Sequence, residues 1–152
     1  MKRLIAALCA TALLSGCLPF GLFTGNDVYK SYPKSFGTYV TGEHVNAFCL
    51  TPKLRLVIWE VENYFGKKIV MNSGYRDPSY NGKVGGADNS YHMKCMAADF
   101  FIPGVDKRRL IAYVMRNNGV GGVGCYPNRN FIHIDVRERP RGWSKPVTFS
   151  GC

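Results

Sequence analysis

Two apolar runs in the second half of the chain carry ionisable groups where ordinary strands carry none. Met96 to Ile102 and Phe131 to Val136 both read as short strands with a period of two. Ala98, Phe100 and Ile102 share one face of the first run, and Ile132, Ile134 and Val136 share one face of the second. The opposite faces carry Asp99 in the first run and His133 and Asp135 in the second. An isolated carboxylate in such a run is expensive to bury unless a cation or a firm hydrogen-bond network stabilises it. His92 stands a short distance before Asp99, across Met93-Lys94-Cys95-Met96-Ala97-Ala98. Taken singly, His92 and His133 read as structural or surface residues. Taken with Asp99 they form a candidate ligand set, because two histidines and one carboxylate suffice to hold a catalytic zinc with one position open.

The rest of the chain supplies a frame for these strands. Thr51-Pro52 gives a capping hydroxyl followed by proline at a first helical position. Leu54, Val57, Ile58, Val61 and Phe65 then recur on one face until Gly66 ends the helix. Trp59 and Tyr64 read as packing residues. Ile69-Val70-Met71 suits a buried strand, and residues 77–91 suit a loop or a short helix followed by a loop. Asp106 can cap a helix running through Leu110, Ile111, Val114 and Met115 to Asn118, with Gly119 closing it. Gly121-Gly122-Val123-Gly124 lacks a following Lys-Ser or Lys-Thr pair, which excludes a phosphate-loop reading. Helices and strands mix without regular βαβ alternation. The expectation is one α+β domain, a small antiparallel sheet with flanking helices.

Lys2 and Arg3 precede an apolar run from Leu4 to Leu14, too short to span a bilayer and typical of a secretory signal. Leu14-Ser15-Gly16-Cys17 looks like a bacterial lipobox, in which Cys17 is lipidated after cleavage. An ordinary signal with a chance cysteine is the plainer alternative. The expected organisation is a signal peptide over 1–16, a lipidated N-terminus and flexible tether over 17–40, and a folded domain over 41–152. The formal charge of +10 falls by two when Lys2 and Arg3 leave. For an exported chain that surplus suits anionic head groups or an anionic wall polymer rather than nucleic acid, and it serves solubility equally well. Cys49, Cys95, Cys125 and Cys152 remain, an even number in an oxidising compartment, with three possible pairings.

Six segments occur in one order: Ser73-Gly74-Tyr75-Arg76, Ser90-Tyr91-His92 through Asp99, Ile102-Pro103-Gly104-Val105, Gly121 to Gly124, Phe131 to Asp135, and Arg141-Gly142-Trp143. This series resembles the peptidase M15 family of zinc D-Ala-D-Ala carboxypeptidases and murein endopeptidases, nearest to its YcbK-like branch. The resemblance covers about residues 48–143 and implies the D-Ala-D-Ala carboxypeptidase/hedgehog-like fold. It implies a zinc ion held by His92, Asp99 and His133, which would polarise the scissile carbonyl and activate water. It also implies that Arg76 pairs with a substrate carboxylate or a developing oxyanion. Ser90, Tyr75 and Tyr91, with Trp143, are candidates to line the cleft; the aromatic ones are equally candidates for the core.

The chain departs from the family pattern in three places. Many members carry an acid where Asn130 stands, three positions before the last histidine. Asp135, on the same strand face as His133, is the favoured substitute as general base, with orientation of His133 as the equal alternative. Asp88 is a weaker candidate. Cys95 occupies a position that normally carries glycine, and Cys125 one that is usually aromatic. Two unusual cysteines in motifs converging on one site suggest a Cys95–Cys125 bridge, which leaves Cys49–Cys152 to tie the C-terminus to the first helix. A free Cys95 thiol beside the metal is the alternative. His44 precedes the resemblance and reads as a surface residue.

The expectation is therefore a monomeric, lipid-anchored zinc peptidase of the bacterial envelope, facing the periplasm and placed on the outer rather than the inner membrane. Its partners would be peptidoglycan stem peptides. The rivals are a non-catalytic peptidoglycan-binding lipoprotein of the same fold and a basic envelope protein in which the histidines are structural.

Overall fold

The computed structural model describes residues 27–152. The signal-peptide and Cys17 lipidation readings lie outside the described residues. Helix α1 (Pro52–Phe65) begins where Thr51 Oγ1 accepts the Leu54 N–H. It ends at Gly66 with φ +61°, where the Gly66 and Lys67 N–H groups return to the Asn63 and Glu62 carbonyls. Leu54, Val57, Ile58 and Val61 are buried. Trp59 lies on the opposite face and is 57% exposed, so the reading of it as a packing residue is corrected. Tyr64 is also exposed, although its ring stacks on Tyr113 at 4.3 Å.

Helix α2 (Pro78–Lys83) is the short helix expected in the 77–91 segment, capped by Asp77. Helix α3 (Lys107–Val114) is capped by Asp106, whose carboxylate accepts from the Arg108 and Arg109 N–H groups. It stops at Val114 rather than Asn118. Arg116 and Asn117 donate to carbonyls only three residues back, which tightens the chain, and Asn117 Oδ1 takes the Gly119 N–H. No helix among the described residues is long and apolar enough to cross a membrane.

Seven strands form one sheet: β1 (Lys34–Ser35), β2 (Thr38–Val40), β3 (Val70–Ser73), β4 (Ala97–Phe101), β5 (Gly122–Gly124), β6 (Ile132–Asp135) and β7 (Val147–Phe149). Their order is β1-β2-β3-β4-β6-β5-β7. The fold is α+β, as the sequence indicates, but the sheet is mixed. The pairs β2/β3 and β5/β7 run parallel and the rest antiparallel. Crossover through α1 makes the first parallel pair. The second arises because β7 returns beside β5 rather than beside β6. Residues 29–40 also correct the tether reading. Tyr29 is buried, its hydroxyl donating to the Lys68 carbonyl. Phe36 and Gly37, both at positive φ, form a two-residue hairpin turn between β1 and β2.

The core lies between the sheet and helices α1 and α3, where Leu54, Val61, Phe100, Leu110, Val114, Ile132 and Ile134 are fully or nearly fully buried. Ala98, Phe100, Ile132 and Ile134 turn toward it, which leaves Asp99, His133 and Asp135 on the other face.

The four cysteines among the described residues are all bridged, but in a pairing other than Cys95–Cys125 and Cys49–Cys152. The bonds are Cys49–Cys95 and Cys125–Cys152. The Cys95 carbonyl accepts the Thr51 N–H, which fixes the turn before β4 against the start of α1 and so against Cys49. Parallel pairing of β5 with β7 carries Cys152 alongside Cys125, just after β5. The free-thiol alternative for Cys95 falls with the same finding.

Candidate metal centre

One row of residues crosses the sheet: Ser73 on β3 pairs with Asp99 on β4, Asp99 with His133 on β6, His133 with Gly124 on β5, and Gly124 with Phe149 on β7. Register alone therefore places Asp99 and His133 side by side on one face. His92 comes from the turn before β4. Its backbone N–H meets Ser90 Oγ at 3.3 Å, and its carbonyl accepts from Arg76 and Cys95. The chain passes through φ +58° at Cys95, a left-handed conformation natural to glycine.

His92, Asp99 and His133 are buried and form a group whose donor atoms could hold one metal ion. His92 Nε2 lies 3.1 Å from His133 Nδ1 and 3.2 Å from Asp99 Oδ1, and His133 Nδ1 lies 2.8 Å from Asp99 Oδ1. The outer ring nitrogens decide the proton positions. His92 Nδ1 sits 2.7 Å from the Gly74 carbonyl, which can only accept, so that nitrogen donates. His133 Nε2 sits 3.3 Å from Asp135 Oδ2 and donates likewise. Both inner nitrogens then present lone pairs toward an anionic oxygen. Three acceptors converge with no proton among them, an arrangement that a cation satisfies. Ligand atoms around a tetrahedral centre with bonds of about 2.0–2.1 Å stand roughly 3.3 Å apart, close to these separations.

The electrostatics agree. Burial opposes ionisation of Asp99, yet its contacts with the His133 and His92 rings hold its carboxyl well below the usual carboxylate range. Burial disfavours the His133 cation, but Asp135 and Asp99 outweigh it and raise the ring above its ordinary value.

Arg76 Nη2 contacts Asp99 Oδ2 at 2.5 Å, while its Nε donates to Ser73 Oγ at 2.7 Å. It therefore touches the Asp99 carboxylate directly. Asp135 is fully buried and accepts from His133, from Arg137 Nε and Nη2, and from the Arg137 backbone N–H. Burial would raise its pKa, but these donors lower it to about 2. Tyr91 lies under Arg137, whose guanidinium is 4.3 Å from the ring centroid. Tyr75 is half-buried and bridges to Asn46, while Trp143, Asp88, Asn130 and His44 are exposed.

Sequence reasoning missed Ser73, Gly74, Arg137 and Phe149. Phe149 packs on the His133 ring at a centroid distance of 5.2 Å. Gly74 supplies the carbonyl for His92, and a side chain there would overlap the Asn46 carbonyl. Arg137 was readable: positions 133, 135 and 137 continue one strand face.

Comparison with known proteins bears on the whole arrangement. The profile of the family "Peptidase M15" matches residues 29–135. The chain is similar to the "Probable peptidoglycan L,D-endopeptidase MepK" of Haemophilus influenzae, 38% identical over 97 residues that cover 57% of this chain and 50% of that protein. It is also similar to the "Peptidoglycan L,D-endopeptidase MepK" of Escherichia coli strain K12, 42% identical over 77 residues that cover 46% of this chain and 41% of that one. The chain thus aligns with about half the length of the curated relatives it matches. The family match runs from the start of the described fold through His92, Asp99 and His133 to Asp135, and the chain belongs to the peptidase M15 family, in its YcbK-like branch.

Proposed function

We propose that this chain is a zinc-dependent peptidase that hydrolyses amide bonds in the peptide part of peptidoglycan, as an endopeptidase or as a carboxypeptidase. The observation that carries the reading is the convergence of His92 Nε2, Asp99 Oδ1 and His133 Nδ1 within 3.2 Å of one another. Family membership and relatives named as peptidoglycan L,D-endopeptidases support the substrate class. The same reading includes lipidation at Cys17, and a monomer anchored in the envelope facing the periplasm, on the outer membrane.

His92, Asp99 and His133 would hold the zinc, which when bound supplies Lewis acidity toward the scissile carbonyl and an activated water. Arg76 fixes the second oxygen of Asp99 and brings a cation to the edge of the site, where it can meet a substrate carboxylate or a developing oxyanion. Ser73 orients Arg76. Tyr75, Ser90 and Tyr91 flank the turn that carries His92; Ser90 steadies that turn and Tyr91 supports Arg137. Asp135 is assigned to orienting His133 and not to proton transfer. A carboxylate with pKa about 2 and both oxygens engaged makes a poor base near neutrality.

That saturation of Asp135, together with Asn130, favours a second reading in which the domain holds wall peptides without cleaving them. Zinc-loaded protein incubated with defined crosslinked and uncrosslinked muropeptides separates the two. Cleavage lost in His92→Ala supports the peptidase; zinc and muropeptide binding without any turnover supports the binder. Mass analysis of the membrane-extracted protein, read for a diacylglyceryl group on Cys17, tests the anchor.

A further inference from the structure

Arg137 follows β6 on the face of His133 and Asp135. Its Nε donates to Asp135 Oδ1 at 2.7 Å, its Nη2 contacts Oδ2, and its backbone N–H reaches Oδ1 at 3.1 Å. This is a two-pronged grip that fixes the plane of the carboxylate as well as its charge. The guanidinium is itself held, 4.3 Å from the Tyr91 ring and 5.7 Å from the Phe149 ring. Tyr91 belongs to the turn that carries His92, and its carbonyl accepts from Met96 N–H as β4 begins. Arg137 therefore touches the His92 turn, the His133 strand and β7 together.

The glycine cluster that has no phosphate role fits this arrangement. A Cβ at Gly122 would overlap Asp135 Oδ2 and stand 2.9 Å from Arg137 Nε, and one at Gly121 would overlap the Arg137 carbonyl. The backbone of β5 is bare where the Asp135–Arg137 pair lies against it.

We propose that Arg137 is a positioning residue: by gripping Asp135 from two sides it locks His133 in the Nε2–H tautomer and aims Nδ1 at the metal position. The inference rests on the metal reading above and deepens it. A carboxylate held at one oxygen can tip away from His133 Nε2; held at both, it cannot. Outer partners of ligand histidines typically contribute about 10–100-fold to metal affinity.

The test uses the full chain with two readouts. Zinc affinity is measured by competition with a chromophoric chelator for wild type, Arg137→Gln, Asp135→Asn and the double variant. The His133 tautomer is read by ¹⁵N NMR of metal-free protein at alkaline pH. Arg137→Gln should bind zinc about tenfold more weakly and mix the two tautomers. It should add nothing further once Asp135→Asn is present, because the grip acts through Asp135. Wild-type affinity and a pure Nε2–H tautomer in Arg137→Gln overturn the proposal, as does a loss that persists undiminished in the Asp135→Asn background. If Arg137→Gln does not fold, Arg137→Lys keeps the charge and loses the fork; it should fall short of wild type in both readouts, and equality overturns the proposal. A wild-type chain that binds no zinc sinks the metal reading alone, since the tautomer measured without metal still decides what Arg137 does.

Discussion

Cys95 offers a test in which two opposing terms can be separated. The residue holds φ +58°, which costs an L-residue about 1–2 kcal/mol and glycine little. Its bond to Cys49 closes 46 residues. Loop-closure entropy for that length is worth about 4 kcal/mol. Cys49→Ala/Cys95→Ala should therefore lose about 4 kcal/mol of unfolding free energy relative to the oxidised protein. Cys49→Ala/Cys95→Gly loses the same closure term but is relieved of the backbone cost, partly offset by the greater freedom of unfolded glycine. It should lose only about 3 kcal/mol. Guanidinium unfolding of metal-free protein, followed by far-ultraviolet circular dichroism without reductant, measures both. The ranking carries the argument: oxidised protein first, the glycine variant second, the alanine variant last. An alanine variant as stable as the glycine variant would refute the left-handed conformation at 95. A loss under about 1 kcal/mol in both would refute the entropic account of the bridge.

Three further outcomes are expected. Cys125→Ala/Cys152→Ala opens a closure of 27 residues and should cost about 3.5 kcal/mol in the same unfolding assay. Zinc affinity, measured by chelator competition across pH, should fall as pH drops through the raised pKa of His133, because metal and proton compete for the same nitrogen. In the metal-free protein the sign reverses. The stability drawn from His133 is complete below the ordinary histidine value and disappears as pH rises through the raised one, which pH-dependent melting follows. Gly124→Ala places a Cβ 2.7 Å from the Phe149 ring and 3.2 Å from His133 Cβ; it should cost about 1–3 kcal/mol on thermal unfolding and weaken zinc binding.

Much of the candidate site was legible because strand alternation is local: Asp99, His133 and Asp135 stand out against apolar partners in runs of a few residues. The limits of α1 were legible for the same reason, since Thr51, Pro52 and Gly66 act on their own neighbours. The disulfide pairing was not. It depends on which distant loops meet, and that is decided by one hydrogen bond from Thr51 to Cys95 and by the parallel return of β7. The β1–β2 hairpin hid behind Phe36, a residue that rarely takes positive φ, so the segment looked like a linker. The role of Asp135 was open in sequence because a base and an orienter can occupy the same place on a strand. Arg137, which occupies both oxygens of the Asp135 carboxylate, acts on it from two positions further along the chain.

The place of β7 also governs when the site can come into being. The ring of His133 is covered by Phe149, and the Cys125–Cys152 bond closes only after β7 has been added. During synthesis the donors at 92, 99 and 133 therefore exist before the strand that encloses them. Pairing across such separations is slow compared with helix formation. A chain cut before β7 would keep every donor and helices α1 and α3, yet leave one wall of the cluster open to water. Enclosure of the candidate metal centre is thus coupled to the addition of β7.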